Sequence, residues 1–231
     1  MDSAQLTRDV LGWDVRSWAP AFRFWDGIVD TAPPVLRCLE IGAGPGGPSL
    51  WLALKGHDVI CSNRENTEAM ASALHEQYGL AGRIAYEDID ATNIPYENEF
   101  DVIVFKSVLG GVGAFGGPEL VQVAVDQMFA ALKPGGRLIY AENLRATPIH
   151  RAARALAYRL RRSAWRFVSI RELTNFLSRF RDHQLHTTGV LAVFGLTEGQ
   201  RNALAAADDR ILNRVAPRGW KYVAYGVATK P

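Results

Sequence analysis

Short apolar runs alternate with amphipathic stretches through the middle of the chain. The runs are typical of β-strands, and the stretches between them are typical of helices that end at a glycine. Because each run is apolar throughout, both faces of the sheet should be covered by helices, which favours parallel strands. The predicted strands are 35–42, 58–62, 83–90, 100–108 and 137–144, and the predicted helices among them are 48–56, 66–79 and 118–136.

The pattern changes at both ends of the chain. Residues 13–30 are predicted to be helical, and Trp18 and Trp25 are spaced to share one face of that helix. The last two predicted strands follow each other without a full crossover helix, which predicts an antiparallel strand at the edge of the sheet. Towards the C-terminus the predicted helices are 148–167 and 169–180, and the predicted strands are 186–196 and 220–230.

We therefore predict an α/β fold, with a doubly wound, mostly parallel sheet of seven strands in a single domain over residues 1–231. A chain of this size can bury roughly 70% of its unfolded surface, so one core is enough. Residues 1–30 are expected to form an N-terminal helical lid. The core is expected over 35–145, followed by a helical insertion and the C-terminal strands over 146–231.

Composition and charge restrict the class of protein. Apolar residues make up 48% of the chain and charged residues 22%, as in soluble globular proteins. No run reaches the ~18 apolar residues of a membrane span, and the N-terminus lacks a signal-peptide pattern, so we expect no membrane partner and a cytoplasmic location. The net charge of +2 does not favour a nucleic-acid partner, and a monomer or homodimer is expected. Cys38 and Cys61 lie in neighbouring predicted strands without a histidine cluster, which predicts buried thiols and no metal site.

The first predicted strand leads into a glycine-rich turn, LEIGAGPGG. Gly42, Gly44 and Gly47 match G-x-G-x-x-G between a strand and a helix, a pattern that brings backbone N–H groups against a cofactor. Arg64 and Glu65 follow about 20 residues later, where dinucleotide-binding proteins contact the ribose or its 2′-phosphate. An NADP-dependent reductase is therefore one hypothesis.

Glu40 favours a different cofactor. It lies inside the apolar strand, where a carboxylate is costly to bury unless a cation or a hydrogen-bond donor compensates for it. A pyrophosphate would repel this carboxylate, whereas an ammonium and a sulfonium would be attracted to it. An acid followed by G-x-G-x-G resembles the first motif of the class I S-adenosylmethionine-dependent methyltransferases. The resemblance implies that the cofactor is S-adenosylmethionine and that it is bound by Glu40, Gly42, Ala43, Gly44 and Gly46.

Two further stretches carry the same resemblance. EDIDATNIPYENEFDVIVF (87–105) is similar to the family's segment in which an acid ends the third strand, and this implies that Asp90, beside Ala91, accepts a hydrogen bond from the adenine amine. ALKPGGRLIYAEN (131–143) is similar to the turn before the family's fifth strand. The motifs span residues 35–145 in the family's order.

The sequence departs from the family at the end of the second strand. The family usually has an acid there that binds both ribose hydroxyls, and the matching residue here is Asn63. An amide can accept from one hydroxyl and donate to the other, so Asn63 can serve in the same place. Glu65 is the alternative ribose partner.

The acceptor is expected above the carboxyl ends of the strands, where the cofactor crevice of such a sheet lies. Glu142 is the leading catalytic candidate and His150 a possible base; the alternatives are an ion pair for Glu142 and a helix cap for His150. Lys106 is expected either to contact the methionine carboxylate or to extend its amine to solvent. Trp18, Ser107 and Asn143 are the predicted substrate contacts, although core packing is the main alternative for Trp18.

Two biased segments leave alternatives open. Residues 107–117 are rich in glycine, which suits a mobile loop over the site or a plain connector. Residues 145–181 hold ten arginines and one acid, which suit either an anionic ligand or solvated helix faces. The leading functional prediction is methyl transfer to a small-molecule acceptor. The alternatives are an RNA or protein methyltransferase that uses the arginine face, and a non-catalytic cofactor-binding subunit.

Overall fold

The computed structural model describes residues 2–30, 35–161 and 164–231, with side chains given for all of these except 156–161. The side chains of Tyr158, Arg159 and Arg161, and all of Arg162, therefore lie outside the described part of the predicted arginine face. The strands are β1 Arg37–Ile41, β2 Asp58–Asn63, β3 Ile84–Asp88, β4 Phe100–Lys106, β5 Leu132–Asn143, β6 Arg181–Thr188 and β7 Val223–Thr229.

These strands form one seven-stranded sheet in the order β3-β2-β1-β4-β5-β7-β6. The first five strands are parallel to one another, as predicted, and the C-terminal segment completes the sheet. The antiparallel strand is β7, which lies one place in from the edge and pairs antiparallel with both β5 and β6. The doubly wound, mostly parallel fold is confirmed.

Helices cover both faces of the sheet. On one face, Trp25 of the second helix and Trp51 of the third are packed in a cluster with Cys38. On the other face, Leu39 and Phe105 pack against the long fifth helix. The helices are α1 Ser3–Leu11, α2 Val15–Asp30, α3 Gly47–Leu54, α4 Thr67–Gln77, α5 Leu109–Ala131, α6 Pro148–Arg161, α7 Ile170–Phe176, α8 Glu198–Ala207 and the single turn α9 Asn213–Val215.

Three local predictions were wrong. The strand predicted over 186–196 is β6, Arg181–Thr188, instead. β6 is a largely exposed edge strand, and its polar residues do not show the apolar pattern of a buried strand. The apolar residues that follow it form a 3₁₀ turn at Ala192–Phe194. The glycine-rich residues 107–117 are mostly helical, because α5 begins at Leu109 and bends at Gly116 and Gly117. The helix predicted over 148–167 ends at Arg161 as α6.

Both cysteines are buried thiols in adjacent strands, as predicted. Burial raises the pKa of both the Cys38 and the Cys61 thiol. In the described part of the chain, no three His, Cys, Asp or Glu side chains are grouped closely enough to hold a metal ion. None of its helices combines the length and apolarity needed to cross a bilayer.

The position of β7 depends on Gly226. A Cβ atom there would lie 1.9 Å from the Gln184 carbonyl oxygen and 2.7 Å from the Tyr140 hydroxyl, so β7 would have to move away from a neighbour. We expect Gly226→Ala to lower the free energy of unfolding by about 1–3 kcal/mol, the usual cost of overpacking. Urea unfolding followed by circular dichroism measures this change.

Gly27→Ala is the matched control for that substitution. Gly27 lies inside α2, and apart from the adjoining backbone of that helix no described atom lies within 4 Å of the position that a Cβ would take there. Alanine should therefore leave stability unchanged or raise it by up to about 1 kcal/mol. Equal stability of the two variants would contradict the packing described for β7.

Candidate active site

The turn between β1 and α3 is held in a left-handed backbone conformation. Gly42, Gly44 and Gly46 have φ values of +65°, +55° and +81°, which L side chains rarely adopt. A Cβ on Gly42 would lie 2.7 Å from Val108, and one on Gly46 would lie 2.6 Å from the His75 ring, so both glycines are closely packed. Gly44 has no atom within 4 Å of a Cβ position, so this part of the turn is open to a ligand.

Glu40 lies beneath this turn with its carboxylate buried. Its Oε2 atom accepts hydrogen bonds from the Ser49 backbone N (2.7 Å) and Oγ (2.5 Å), whereas Oε1 accepts none from a described residue. Burial raises the pKa of Glu40 to about 8, against the opposing effect of the Ser49 bonds and the charge of Lys106. A positive group beside Oε1 would favour the ionised carboxylate.

A cavity of about 350 Å³ extends from Glu40 across the carboxyl ends of the strands. Helix α1 covers one side so closely that a Cβ on Gly47 would lie 2.3 Å from the Val10 carbonyl oxygen. The remaining walls come from the glycine turn, from the ends of β4 and β5, and from a tryptophan after α6. The residues used below are Glu40, Gly44, Trp13, Lys106, Ser107, Asn143 and Trp165.

Lys106 ends β4 at the floor of this cavity. Its Nζ atom lies 4.5 Å from the centre of the Trp13 ring and 4.4 Å from that of Trp18, within cation–π range. Burial lowers the pKa of Lys106 to about 8, although the carboxylates of Asp14, Glu142 and Glu40 act in the opposite direction. A lysine held this way retains an amine that can bind an anionic group of a ligand.

Ser107 and Asn143 extend the cavity beyond Lys106. The Asn143 Nδ2 atom donates to the Ser107 Oγ atom at 2.6 Å, which joins the ends of β4 and β5. Ser107 has a φ of +60°, an uncommon conformation for a residue with a side chain. This pair presents polar atoms to the cavity at the position where the sequence predicted the acceptor.

A second cavity, of about 240 Å³, adjoins the first at Gly42. It is mainly apolar, with Ala91 and Phe115 among its walls and Asp90 at its edge. The Asp90 Oδ1 atom accepts from the Thr92 hydroxyl and backbone N, and these bonds hold the pKa of Asp90 below its usual range. The mainly apolar lining of this second cavity, with Asp90 among its residues, suits an apolar ring whose amine donates to a carboxylate.

Comparison with known proteins agrees with the methyltransferase resemblance of the sequence motifs. Residues 39–140 match the sequence profile of a family described as a methyltransferase domain. These residues form a class I S-adenosylmethionine-dependent methyltransferase domain. The predicted family and cofactor are thereby confirmed, and the dinucleotide hypothesis is set aside.

The relatives agree with this assignment. A trans-aconitate 2-methyltransferase from Variovorax paradoxus is 33% identical over 54% of this chain and 46% of its own length. A demethylmenaquinone methyltransferase from Clavibacter sepedonicus is 28% identical over 46% of this chain and 40% of its own length. The chain therefore matches less than half the length of these curated relatives.

A solved structure, phosphoethanolamine N-methyltransferase 2 of Haemonchus contortus with S-adenosylmethionine, superposes with a TM-score of 0.63. It is 15% identical to this chain, and the match covers 93% of this chain and 53% of that one. At this identity the likeness concerns the fold.

The two adjoining cavities of the methyltransferase domain fit its cofactor. Glu40 Oε1 is available to a positively charged group, and Gly44 leaves room for a ligand to approach the turn. The apolar second cavity with Asp90 suits the adenine. The predicted cofactor contacts Glu40, Gly42, Ala43, Gly44, Asp90, Ala91 and Lys106 all line one of these cavities.

Asn63 supports the turn of the methyltransferase domain from behind. Its Oδ1 atom accepts from the Gly44 backbone N at 2.7 Å, and its Nδ2 atom donates to the Gly44 carbonyl oxygen at 3.2 Å. Each end of the amide makes one of these two bonds, and the ribose contact predicted for Asn63 stays a prediction. Glu65, the alternative, is exposed beside Arg64 and lines neither cavity.

Glu142 was the leading catalytic candidate, and the structure gives it a structural role. Its Oε2 atom accepts from the backbone N–H groups of Val108 and Leu109, and Oε1 accepts from that of Asn143. The carboxylate therefore caps the N-terminus of α5. Burial raises the pKa of Glu142 to about 7, and its side chain is not part of either cavity lining.

His150 and Trp18 also lie away from the methyltransferase cavity. The His150 Nε2 atom donates to the Val190 carbonyl oxygen at 2.7 Å, and Nδ1 lies 2.6 Å from the Thr147 hydroxyl, so both ring nitrogens are occupied. Burial lowers the pKa of His150, which favours the neutral ring. Trp18 is fully buried under Lys106 as a packing residue, and Trp13 takes the place at the cavity wall that was predicted for Trp18.

Trp13 and Trp165 were not predicted as lining residues, whereas the helical lid predicted over residues 1–30 includes α1, which lines the cavity. Trp165 lies against α5, where a Cβ on Gly110 would fall 2.0 Å from its indole nitrogen. The signal for this contact was the glycine-rich segment, whose small residues allow the indole to approach the helix backbone.

The capping role of Glu142 can be tested by substitution. Glu142→Gln keeps the size of the side chain but replaces one accepting oxygen with a donor that faces backbone N–H groups. We expect the free energy of unfolding to fall by about 1–3 kcal/mol, the cost of unsatisfied buried groups. Urea unfolding measures it, and Glu119→Gln, an exposed acid on the same helix, is the control. Unchanged stability would argue against the cap.

Proposed function

We propose that this chain transfers a methyl group from S-adenosylmethionine to a small-molecule acceptor in the cavity beside Glu40. The observation that carries the proposal is a buried carboxylate with one open oxygen in the first cavity, which adjoins the second at Gly42. Bound S-adenosylmethionine supplies a methyl group on a positively charged sulfur.

The cofactor is held by charge and by shape. The Glu40 carboxylate attracts the positive charge of S-adenosylmethionine. Lys106, at the floor of the cavity, binds the carboxylate of the same ligand. Asp90 accepts from the adenine amine, with Ala91 against the ring. The backbone of Gly42, Ala43 and Gly44 follows the ligand between the two cavities.

Methyl transfer by displacement depends mainly on alignment and on exclusion of water. Orientation of two reactants in one site can lower the barrier by ~7–11 kcal/mol. Helix α1, Trp13 and Trp165 enclose the cavity, and Ser107 with Asn143 offers hydrogen-bonding atoms that orient an acceptor. A general base is optional, because an amine acceptor that arrives uncharged has no proton to lose first.

A small acceptor is supported by the size of the cavity and by the relatives. A volume of about 350 Å³ that is partly covered by α1 has limited room for an acceptor beside a cofactor. The names of the two relatives described above refer to trans-aconitate and demethylmenaquinone, both small molecules.

Glu40→Gln tests the site. Glutamine can still accept from Ser49 but carries no charge, so we expect the dissociation constant for S-adenosylmethionine to rise at least tenfold, or about 1.4 kcal/mol. Calorimetry measures the affinity, and release of S-adenosylhomocysteine over a library of small acceptors measures turnover. Glu68→Gln, an exposed acid on α4, is the control. Wild-type affinity in Glu40→Gln would remove Glu40 from the site, and cofactor binding without turnover on any acceptor would favour a non-catalytic subunit.

The pH dependence of cofactor affinity gives a separate test. The pKa of Glu40 is raised to about 8, so the carboxyl group is protonated below that pH. It has to lose its proton before it can attract a cation. Affinity for S-adenosylmethionine should therefore rise as the pH increases from about 6 to about 8. The rise should be absent in Glu40→Gln, as calorimetry across this range would measure. An identical profile in the two proteins would contradict the assignment.

A further inference from the structure

Four arginines surround a cleft next to the methyltransferase cavity. The cleft has a volume of about 460 Å³ and lies between α6 and the segment that precedes α7. Among the described residues that line it, none is acidic. The lining residues that matter here are Arg145, Arg151, Arg154, Arg166, Trp165 and Phe167.

The charge of this arginine cleft is only partly compensated. Glu172 is the acid that pairs with it, binding Arg145 at 2.9 Å and also contacting Arg166. Arg151 is exposed and makes no ion pair with a described residue. Arg145 and Arg166 share one carboxylate, and Arg151 has none among the described residues. These three guanidinium groups leave a positive potential in a concave site, and a cleft of this kind attracts anions.

Two arginines of the cleft are fixed in place and are not freely solvated. Arg154 is buried, donates to the Leu144 carbonyl oxygen at 2.6 Å and lies 4.4 Å from the centre of the Phe167 ring. Arg166 contacts Glu172 through Nη2, while its buried Nη1 atom has no acceptor in the described part of the chain. Guanidinium groups ordered before binding lose little entropy when they take up an anion.

The indole of Trp165 is common to both sites. It lines the methyltransferase cavity and the arginine cleft. Its buried Nε1 atom also lacks an acceptor in the described structure. A molecule that enters the methyltransferase cavity along this indole would therefore reach the arginines with its far end.

We infer that the acceptor carries a carboxylate or phosphate group and that the arginine cleft binds this group while the methylated end lies in the cavity beside Lys106. The inference rests on the proposed function and names its substrate class. A small anion suits the cleft better than a nucleic-acid backbone, because the cleft measures about 460 Å³ and one of its arginines, Arg154, is buried. Arginine forks bind carboxylates and phosphates at two points, which also orients the rest of the acceptor.

The test uses the full chain with saturating S-adenosylhomocysteine. Calorimetry at constant ionic strength measures the binding of citrate, which carries carboxylates, and of glucose 6-phosphate, which carries a phosphate; glucose is the uncharged counterpart. We expect at least one anion to bind and glucose not to bind. Arg151→Gln should lower the affinity for that anion at least fivefold. Arg171 is an exposed arginine on α7 outside the cleft, and the affinity of Arg171→Gln should stay within twofold of the wild type.

Two results would overturn the inference. One is failure of both anions to bind the wild-type chain, and the other is an equal loss of affinity in Arg151→Gln and Arg171→Gln, which would indicate general surface charge. Tighter binding of a single-stranded RNA oligonucleotide, weakened equally by both substitutions, would favour the RNA hypothesis instead.

Turnover separates this inference from the proposed function. If the chain methylates acceptors, Arg151→Gln should raise KM for anionic acceptors at least fivefold and leave kcat unchanged. Turnover confined to neutral acceptors would keep the methyltransferase proposal and reject the arginine cleft. Failure to bind S-adenosylhomocysteine would reject the methyltransferase proposal, while anion binding to the cleft can still be measured on the unloaded chain.

Discussion

The pair of hydrogen bonds between the Asn63 amide and the backbone N–H and C=O of Gly44 is the constraint on which the site depends. It ties the glycine turn to the end of β2, and the Ala43 N–H adds a third bond by donating to the Ser62 carbonyl oxygen at 2.9 Å. A turn with several left-handed glycines can adopt many backbone conformations, and these hydrogen bonds select one of them. Because the turn is fixed, Glu40 lies beneath it and Gly42 separates the two cavities. A side-chain amide can bind both the N–H and the C=O of one residue because it both donates and accepts, which an ionised acid cannot do.

Two buried acids show how the same sequence pattern leads to different roles. Glu40 and Glu142 each follow an apolar run near the end of a central strand, and burial raises the pKa of both. Glu142 is surrounded by backbone N–H groups of α5 and β5, so its two oxygens are satisfied inside the protein. Among the described residues, Glu40 has donors on Oε2 but not on Oε1. The number of internal donors, rather than burial itself, distinguishes a structural carboxylate from one that is open to a ligand.

The parallel core was predictable because its signal is local. Apolar runs, glycine stops and the motif around Glu40 lie within short stretches, and each specifies its own strand or turn. The remaining features depend on contacts between distant segments. The polar edge strand β6 carries no apolar pattern, and its place beside β7 is set by pairing. Glu142 can cap α5 only because this helix begins at Leu109, and a glycine-rich sequence does not predict the start of a helix there. His150 looks like a free base in sequence, but the Val190 carbonyl that occupies it is 40 residues away.

The burial of both native thiols has a practical consequence for spectroscopy. Cys38 and Cys61 lie in the central strands with no accessible surface and with pKa values raised by burial, so few thiolates are present to react with maleimides. A cysteine introduced at an exposed position would be labelled selectively without removal of the native pair. One dye on α1 and another on α4 would then report by energy transfer on how far the N-terminal cover moves from the sheet.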